Sequence, residues 1–222
     1  MKAVALSKQG SRSADNEDAC IVLSNKGLFV VADGVGGGPA GDMASRCVVD
    51  AMCELLADTE VTHDAISTAL RTANQQIREV AEKLDYTGMA STVVLAWIQE
   101  SILRCYHVGD SRIYRFRDGS VEQLTRDHTR AVQRANGAMK FVVTQAMGVK
   151  EEIFPDVSEH VWEQGDVLLL MSDGISDHVP DKEMVKLLAG NRMTMADRAH
   201  SLIQYSEQQG GTDDKTIIIV FN

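Results

Sequence analysis

The spacing of apolar residues over the first part of the chain predicts a β-hairpin followed by two helices. Apolar runs at residues 19–24 and 28–32 are separated by an N-K-G sequence, which is typical of a tight turn between antiparallel strands. Apolar residues then recur every three or four positions in two segments, 44–56 and 62–84, and Thr62 is placed to cap the second segment. The chain is therefore expected to begin with paired strands and to continue as two consecutive amphipathic helices.

The remainder of the sequence predicts more strands and a second pair of helices. The segment 127–149 is polar and has no regular period apart from one weakly helical stretch, so we expect an irregular connection there. The helices come in consecutive pairs and do not alternate with strands, which favours an α+β fold with antiparallel sheets over a doubly wound parallel sheet. The strands are expected at residues 92–99, 102–108, 112–117, 121–124, 157–162, 167–171 and 216–221, and the helices at 181–188 and 195–205.

Aspartates stand where the predicted strands begin or end. Asp33, Asp110 and Asp173 each follow an apolar run, Asp18 directly precedes the strand at residue 19, and Asp214 precedes the final strand. Antiparallel neighbours run in opposite directions, so the end of one strand and the start of the next share one edge of a sheet. A single Asp-Gly step usually marks only a turn. Two such steps after long apolar runs, with three further acids at strand ends, indicate a shared acidic site.

Carboxylates that converge in a half-buried cleft repel one another, and a divalent cation removes that repulsion. Oxygen ligands favour Mg²⁺ or Mn²⁺ over zinc. Two such ions about 4 Å apart can share a carboxylate and activate a water, which then attacks phosphorus in line, while the same ions neutralise charge on the phosphoryl oxygens. The acidic pattern therefore predicts a binuclear Mn²⁺ or Mg²⁺ centre that hydrolyses phosphate esters.

Residues around these aspartates resemble the protein phosphatase 2C family of metal-dependent serine/threonine protein phosphatases. The similarity extends over nearly the whole chain and its motifs occur in the family order. The resemblance implies a four-layer αββα sandwich, in which two antiparallel sheets lie between pairs of helices, and a single catalytic domain over residues 1–222 with a short flap at about 127–149. The matching motifs are residues 16–19 (NEDA), 29–45 (from FVVADGVGG), 88–92 (GMAST), 108–112 (VGDSR), 124–128 (LTRDH), 146–148 (AMG), 165–174 (ending in SDG) and 212–214 (TDD).

The resemblance also implies a role for each acid. Asp33 would bridge two metal ions, one of which also binds the carbonyl of Gly34, and Asp173 and Asp214 would complete the first ion's shell. Asp18 would hold metal-bound waters, and Asp110 together with Asp173 would hold a third, weaker ion. The implied substrates are phosphorylated proteins, including a Ser/Thr kinase or the targets of such a kinase.

The chain departs from the family pattern in four places. Arg12, the candidate phosphate-binding residue, lies one residue further from Asp18 than the family places its arginine, so Arg12 either grips the substrate phosphate or is a solvated surface residue. Val35 and residue 38 stand where relatives often carry a histidine, which leaves the general acid unassigned. The flap is short. Lys215 stands next to Asp214 where asparagine is common, and is expected either to weaken metal binding slightly or to face solvent.

Three other functions fit parts of the sequence. Residues 36–41 match G-x-G-x-x-G, the turn of a dinucleotide-binding unit, but the following helix leads into another helix instead of a parallel strand. An inactive binding module with the same fold would be expected to have lost its acids, which are all present. A metal-dependent hydrolase of another phosphoester would use the same two-metal chemistry.

Composition narrows the class and the compartment. The net charge is −10 and no basic stripe is present, so nucleic acid is a poor partner, and no apolar stretch is long enough for a membrane span. The four cysteines form neither a C-x-x-C pair nor a zinc-finger spacing, which favours reduced thiols and the cytoplasm. A length of 222 residues suits one globular domain.

Overall fold

The computed structural model describes residues 1–35, 39–133, 137, 139–190 and 193–222, and contains thirteen strands and five α-helices over these ranges. The strands are β1 Lys2–Lys8, β2 Asp18–Leu23, β3 Leu28–Val35, β4 Ala90–Ser91, β5 Val93–Gln99, β6 Ile102–Val108, β7 Arg112–Arg117, β8 Ser120–Gln123, β9 Thr129–Gln133, β10 Met139–Val143, β11 Asp156–Val161, β12 Val167–Met171 and β13 Lys215–Phe221. The helices are α1 Pro39–Leu56, α2 His63–Leu84, α3 Asp173–Ser176, α4 Asp181–Ala189 and α5 Met195–Gln208.

Two antiparallel sheets form the centre of the molecule. One sheet has the strand order β1-β13-β12-β7-β8 and the other has the order β11-β6-β5-β3-β2, while β4 pairs with β3 outside the second sheet. Side chains of both sheets meet in an apolar layer that includes Val31, Cys105, Leu170 and Ile218. Burial of these facing surfaces stabilises the sandwich, since each square ångström of apolar surface removed from water contributes about 25 cal/mol.

Helices cover the outer faces of both sheets. The α1–α2 pair packs on the sheet that contains β3, and the apolar face of α2 from Ile66 to Ile77 is buried there. Thr62 caps α2 by accepting a hydrogen bond from the backbone N–H of Ala65 at 3.1 Å, as its sequence position predicts. Helices α3, α4 and α5 cover the other sheet. The four-layer αββα arrangement predicted for the chain is thereby confirmed.

The element order also separates this fold from a dinucleotide-binding unit. Strand β3 pairs only with antiparallel neighbours in the described part of the chain, and α1 is followed by α2 and not by a parallel strand. Residues 36–38, at the start of the G-x-G-x-x-G match, lie outside the described residues. The prediction that this glycine-rich segment does not belong to a dinucleotide-binding unit is confirmed by the topology.

The secondary structure differs from the sequence prediction in the flap segment and at β1, and the short elements β4 and α3 were also not predicted. The described part of the segment 127–149 is not irregular throughout and contains no helix, because β9 and β10 pair there as an antiparallel sheet of their own. Its apolar side chains are exposed, including Phe141 at 69%, so burial imposes no alternating pattern on the sequence. Strand β1 was not predicted, since it is held by pairing with β13 at the other end of the chain. In the described residues, no helix is long and apolar enough to cross a membrane.

Candidate metal centre and active site

The predicted acids come together at one end of the sandwich. Asp18 and Asp33 are register partners on β2 and β3. Asp173 is the first residue of α3, directly after β12, and Asp110 lies in the turn between β6 and β7. Asp213 and Asp214 directly precede β13. Strands from both sheets therefore deliver their acids to the same edge, as the antiparallel arrangement predicts.

The backbone around Asp33 is fixed from both sides. Thr92 accepts a hydrogen bond from the N–H of Asp33 through Oγ1 at 3.0 Å, and its own N–H donates to the Asp33 carbonyl at 2.8 Å. The next residue, Gly34, must lack a side chain, because a Cβ there would lie 2.0 Å from the carbonyl oxygen of Gly41. These contacts hold the backbone that carries the Asp33 carboxylate in place independently of any ion.

Asp18 is buried behind Asp33 and keeps one oxygen unpaired. The hydroxyl of Ser172 donates to Oδ2 of Asp18 at 2.8 Å, whereas Oδ1 is buried and has no hydrogen-bond partner among the described residues. Burial raises the pKa of Asp18 to about 7, against the lowering effect of the hydrogen bond from Ser172. A buried carboxylate oxygen without a donor favours a water or a cation beside it.

The other acids of the cluster also resist ionisation. Burial raises the pKa of Asp33 well above its usual range, and the charges of Asp18 and Asp173 act in the same direction. Burial and the charge of Asp213 raise the pKa of Asp173 to about 6, although a hydrogen bond with Asp33 opposes the rise. Burial raises the pKa of Asp110 to about 7, with a further contribution from the charge of Asp173. Full ionisation of these acids would therefore place more negative charge in the cluster than the protein alone can stabilise.

Asp214 and Asp213 have different partners, although the sequence reasoning selected only Asp214. Both carboxylate oxygens of Asp214 accept backbone hydrogen bonds, Oδ1 from the N–H of Gly10 and Oδ2 from the N–H of Glu17, each at 2.7 Å. Asp214 is 4% exposed. The charge of Asp213, which the sequence reasoning did not select, acts on Asp33 and Asp173, whereas the charge of Asp214 acts on Asp18. Two adjacent acids were the only available signal, and sequence order alone does not show which one faces the cluster.

Arg12 reaches the cluster through Asp213. Its guanidinium pairs with the Asp213 carboxylate while 68% of the Arg12 side chain stays exposed. The backbone N–H groups of Ser11 and Arg12 both donate to the carbonyl of Thr212, at 2.9 and 3.0 Å, so the loop that carries the arginine is fixed to the segment that carries the acid. The structure therefore brings Arg12 to the rim of the acid cluster despite its unusual spacing from Asp18.

Lys215 does not face solvent, in contrast to one of the two sequence expectations. It is 1% exposed, and its Nζ donates to the backbone carbonyl of Asp213 at 2.5 Å. The lysine thus supports the backbone of the acidic segment.

A second charged network surrounds Asp110. Arg112 binds the Asp127 carboxylate through Nε and Nη2 at 2.7 to 3.0 Å, and Nη2 also donates to Oδ1 of Asp177 at 2.7 Å. Asp177 directly follows α3, which carries Asp173. This network was not predicted, because its members are far apart in the sequence and only the fold brings them together.

The acid cluster fits divalent cations. Its donors are all oxygens, its carboxyl groups have raised pKa values, and Asp18 carries an unpaired buried oxygen. A hard cation would relieve the repulsion and supply the missing partner. An arginine at the rim adds an anion-binding group. Together with the αββα sandwich, these features define a metal-dependent hydrolase of phosphate esters.

Comparison with known proteins gives the family. The chain belongs to the protein phosphatase 2C family, whose model matches residues 7–209. The resemblance drawn from the sequence motifs is thereby confirmed, and the protein is a metal-dependent phosphatase that removes phosphate from serine and threonine of phosphoproteins.

Relatives and solved structures agree over nearly the full chain. The chain is 32% identical over 226 residues to the serine/threonine phosphatase stp of Listeria welshimeri, a match that covers 92% of this chain and 89% of the relative. PppA, described as a key regulatory component of T6SS in Pseudomonas aeruginosa, has a TM-score of 0.88 at 32% identity and covers 99% of this chain and 96% of PppA. The catalytic domain of the phosphatase PstP, in complex with 2 manganese ions, has a TM-score of 0.83 at 30% identity, with 98% of this chain and 96% of PstP covered.

Proposed function

We propose that Asp33, Asp173 and Asp213 hold two Mn²⁺ or Mg²⁺ ions, that the carbonyl of Gly34 contributes to one of them, and that Asp18 supports the ions from behind. The observation that carries this proposal is the convergence of buried carboxyl groups: burial, and after it the repulsion between neighbouring acids, raises the pKa values of Asp18, Asp33 and Asp173. Cations that replace the bound protons would relieve this repulsion. The two manganese ions of the PstP structure support the same number of ions here.

Asp213 takes the ligand role that the family resemblance implied for Asp214. Both carboxylate oxygens of Asp214 accept hydrogen bonds from the backbone N–H groups of Gly10 and Glu17, so this carboxylate has its partners without a metal. Asp213 lies nearer solvent, with 33% of its side chain exposed, and among the described residues its carboxylate is bound by Arg12 and by the N–H of Asp214. A cation can take the place of Arg12, whereas displacing two buried backbone donors from Asp214 would cost far more.

Arg12 is the proposed phosphate-binding residue. Its planar guanidinium can donate two parallel hydrogen bonds to a phosphate, and its exposure makes it accessible to a phosphoprotein. A cation bound to Asp213 would release the Arg12 guanidinium from that carboxylate, so that the guanidinium could bind the substrate phosphate. Asp110, with Asp173, is the proposed site of a third and weaker ion, because burial and then the nearby charge of Asp173 raise the pKa of Asp110.

When bound, the ions supply an activated water for in-line attack on phosphorus and positive charge for the phosphoryl oxygens. The chain's own contribution is positional. Thr92 fixes the backbone of Asp33, Asp214 fixes the loop that carries Arg12 beside the cluster, and Ser172 orients Asp18. A rigid frame of this kind holds the phosphate and the acids in one geometry before the reaction starts.

Phosphate release from phosphoserine and phosphothreonine peptides tests the assignment. With Mn²⁺ or Mg²⁺, the protein should hydrolyse both, and EDTA should abolish the reaction. Asp33→Asn and Asp173→Asn should each lower the rate about 10³-fold or more, because each weakens the ion site. Asp50→Asn, on the exposed face of α1, is the charge-matched control and should keep full activity. Near-normal rates in Asp33→Asn would contradict the site.

The substrates are proposed to include a Ser/Thr kinase or its targets, since only a kinase can produce the phosphoserine and phosphothreonine that this reaction consumes. A cytoplasmic location is also proposed. It is supported by the four cysteines, all of which are free thiols, and burial raises the pKa of Cys105 to about 12, so that this thiol stays protonated and unreactive.

A further inference from the structure

The base of the β9–β10 flap hairpin is tied to the turn that carries Asp110. His128 directly precedes β9, and Thr144 directly follows β10. The carbonyl of His128 accepts two hydrogen bonds from Thr144, one from its N–H at 2.7 Å and one from its hydroxyl at 2.9 Å. These bonds close the hairpin at its base, so His128 is the point where both flap strands meet the body of the protein.

His128 in turn holds Gly109 from both sides. The N–H of His128 donates to the carbonyl of Gly109 at 2.7 Å, and the N–H of Gly109 donates to Nδ1 of the His128 ring at 3.2 Å. Gly109 has a φ of 110°, and a Cβ at this position would lie 2.7 Å from Cβ of Thr92. The peptide before Asp110 therefore occupies a conformation that needs glycine, and His128 satisfies both of its polar groups.

Asp127 supplies a matching contact on the other side of Asp110. Its carboxylate binds the guanidinium of Arg112, two residues after Asp110, while His128 binds Gly109, one residue before it. Two consecutive residues at the start of the flap thus hold both flanks of the Asp110 turn. Any shift of the flap base must move this turn or break these hydrogen bonds.

The His128 ring is built for this contact and not for a metal ion. His107, His128 and Asp156 can each offer a ligand atom, and these atoms lie within 4.8 Å of one another, a spacing that a transition metal could use. Nδ1 of His128 accepts a hydrogen bond from Gly109, however, so the proton of the neutral ring is on Nε2, which lies 3.1 Å from Oδ2 of Asp156 but makes no hydrogen bond among the described residues. A protonated nitrogen has no lone pair for a metal. His107 packs against this ring at 4.5 Å between centroids.

We propose that His128 is a positioning residue for the reaction, which fixes the Gly109 peptide and thereby sets Asp110 in register with the base of the flap. This inference rests on the proposed function, because the position of Asp110 matters through the third ion that Asp110 and Asp173 are proposed to hold. It assigns His128 no contact with substrate and no proton transfer.

Two variants that both remove the ring separate positioning from packing. In His128→Asn, the side-chain oxygen is bonded to Cγ, as Nδ1 is, and can accept from the Gly109 N–H. In His128→Gln, the oxygen lies one bond further out, towards Asp156, and cannot replace Nδ1. Both variants lose the packing on His107, so the difference between them reports the bond to Gly109.

Hydrogen exchange of the Gly109 amide in the metal-free protein is the first measurement. Exchange should be slow in the wild type and in His128→Asn, and about tenfold faster or more in His128→Gln, because one hydrogen bond is lost. Nitrogen NMR of the wild type should show His128 with an unprotonated Nδ1 and a protonated Nε2. Equal exchange in the two variants, the opposite tautomer, or a shift of the His128 nitrogen signals on addition of Zn²⁺ would overturn the proposal.

Calorimetric titration with Mn²⁺ is the second measurement. His128→Gln should keep the two tighter ions and lose the weakest one, whereas His128→Asn should keep all three. Retention of the weakest ion in His128→Gln would show that His128 does not position Asp110 and would also overturn the proposal. A wild-type protein that binds no Mn²⁺ would count against the proposed metal centre instead, and the exchange of the Gly109 amide would still decide the role of His128.

Discussion

Replacing each of the two adjacent acids Asp213 and Asp214 by alanine should separate a metal ligand from a structural acid. The chemical change is the same at both positions, and the residues are neighbours before β13. The structure nevertheless gives the two carboxylates different partners. Asp214→Ala is expected to destabilise the protein without metal, whereas Asp213→Ala is expected to abolish the stabilisation that metal provides.

The cost of Asp214→Ala follows from its two hydrogen bonds. The N–H groups of Gly10 and Glu17 both donate to this carboxylate at 2.7 Å, and Asp214 is 4% exposed. A hydrogen bond to a charged acceptor contributes about 1.5–3 kcal/mol. Water can reach the partly exposed Gly10 but not the buried Glu17 as readily, so we expect a net loss of about 3 kcal/mol in the free energy of unfolding. For a chain of this size, that loss lowers the melting temperature by about 6–12 °C.

Asp213→Ala should leave the metal-free protein nearly as stable as the wild type. Its ion pair with Arg12 is largely exposed, and such pairs contribute about 0–1 kcal/mol. Removal of the acid also relieves repulsion with Asp173. The expected change is therefore within about 1 kcal/mol in EDTA. In the wild type, Mn²⁺ at 100 times its dissociation constant adds about 2.7 kcal/mol of stability, and this gain should disappear in Asp213→Ala.

Thermal unfolding of the three proteins in EDTA and in millimolar Mn²⁺ measures both effects, and calorimetry counts the bound ions. Asp214→Ala should melt early in EDTA and still gain stability from Mn²⁺. Asp213→Ala should melt normally in EDTA and gain little. The reverse pattern, with an unchanged Asp214→Ala in EDTA that fails to bind Mn²⁺, would refute the division of roles between these residues.

Two further predictions concern pH and the phosphate. In EDTA, the free energy of unfolding should fall as pH rises from about 4 to about 7, because folded Asp18 and Asp110 have pKa values raised to about 7 and retain protons that unfolded carboxyl groups with a pKa of 3.8 release. One such group corresponds to a loss on the order of 4 kcal/mol. A flat or rising free energy of unfolding in urea titrations over this pH range would contradict the pKa shifts. Arg12→Ala should lower kcat/KM for a phosphopeptide about tenfold or more, while its affinity for Mn²⁺ should equal or exceed that of the wild type. Arg12→Lys should restore only part of the rate. An unchanged kcat/KM in Arg12→Ala would show that the arginine does not bind the phosphate.

Local patterns in the sequence were sufficient for most of the sandwich. The hairpin between β7 and β8 turns at Asp118 and Gly119, whose φ angles of 49° and 76° are those that an Asp-Gly turn allows. The apolar periodicity of α2 and the threonine before it located that helix to within one residue. These signals are local, because each depends on burial or backbone conformation within a few positions along the chain.

The missed elements depend on distant or absent constraints. Strand β1 pairs with β13, which lies more than 200 residues away, so no local sequence pattern near β1 predicts this pairing. The β9–β10 hairpin has exposed apolar side chains such as Met139 and Phe141, and therefore lacks the alternation that a buried face imposes. The different partners of Asp213 and Asp214 could not be predicted for the same reason, since they are set by contacts with residues 10–17.

Each of the acids that repel one another lies on or beside a stretch of backbone that other residues hold in place. A group that other charges push away needs a backbone held by contacts that do not involve its carboxylate. Thr92 provides these contacts for Asp33, and His128 provides them for the peptide before Asp110. Next to Asp213, the fixed residue is Asp214, whose carboxylate is itself bound by two backbone donors. The acids can therefore remain close together without metal, at the cost of raised pKa values, and a cation that arrives finds its ligands already assembled.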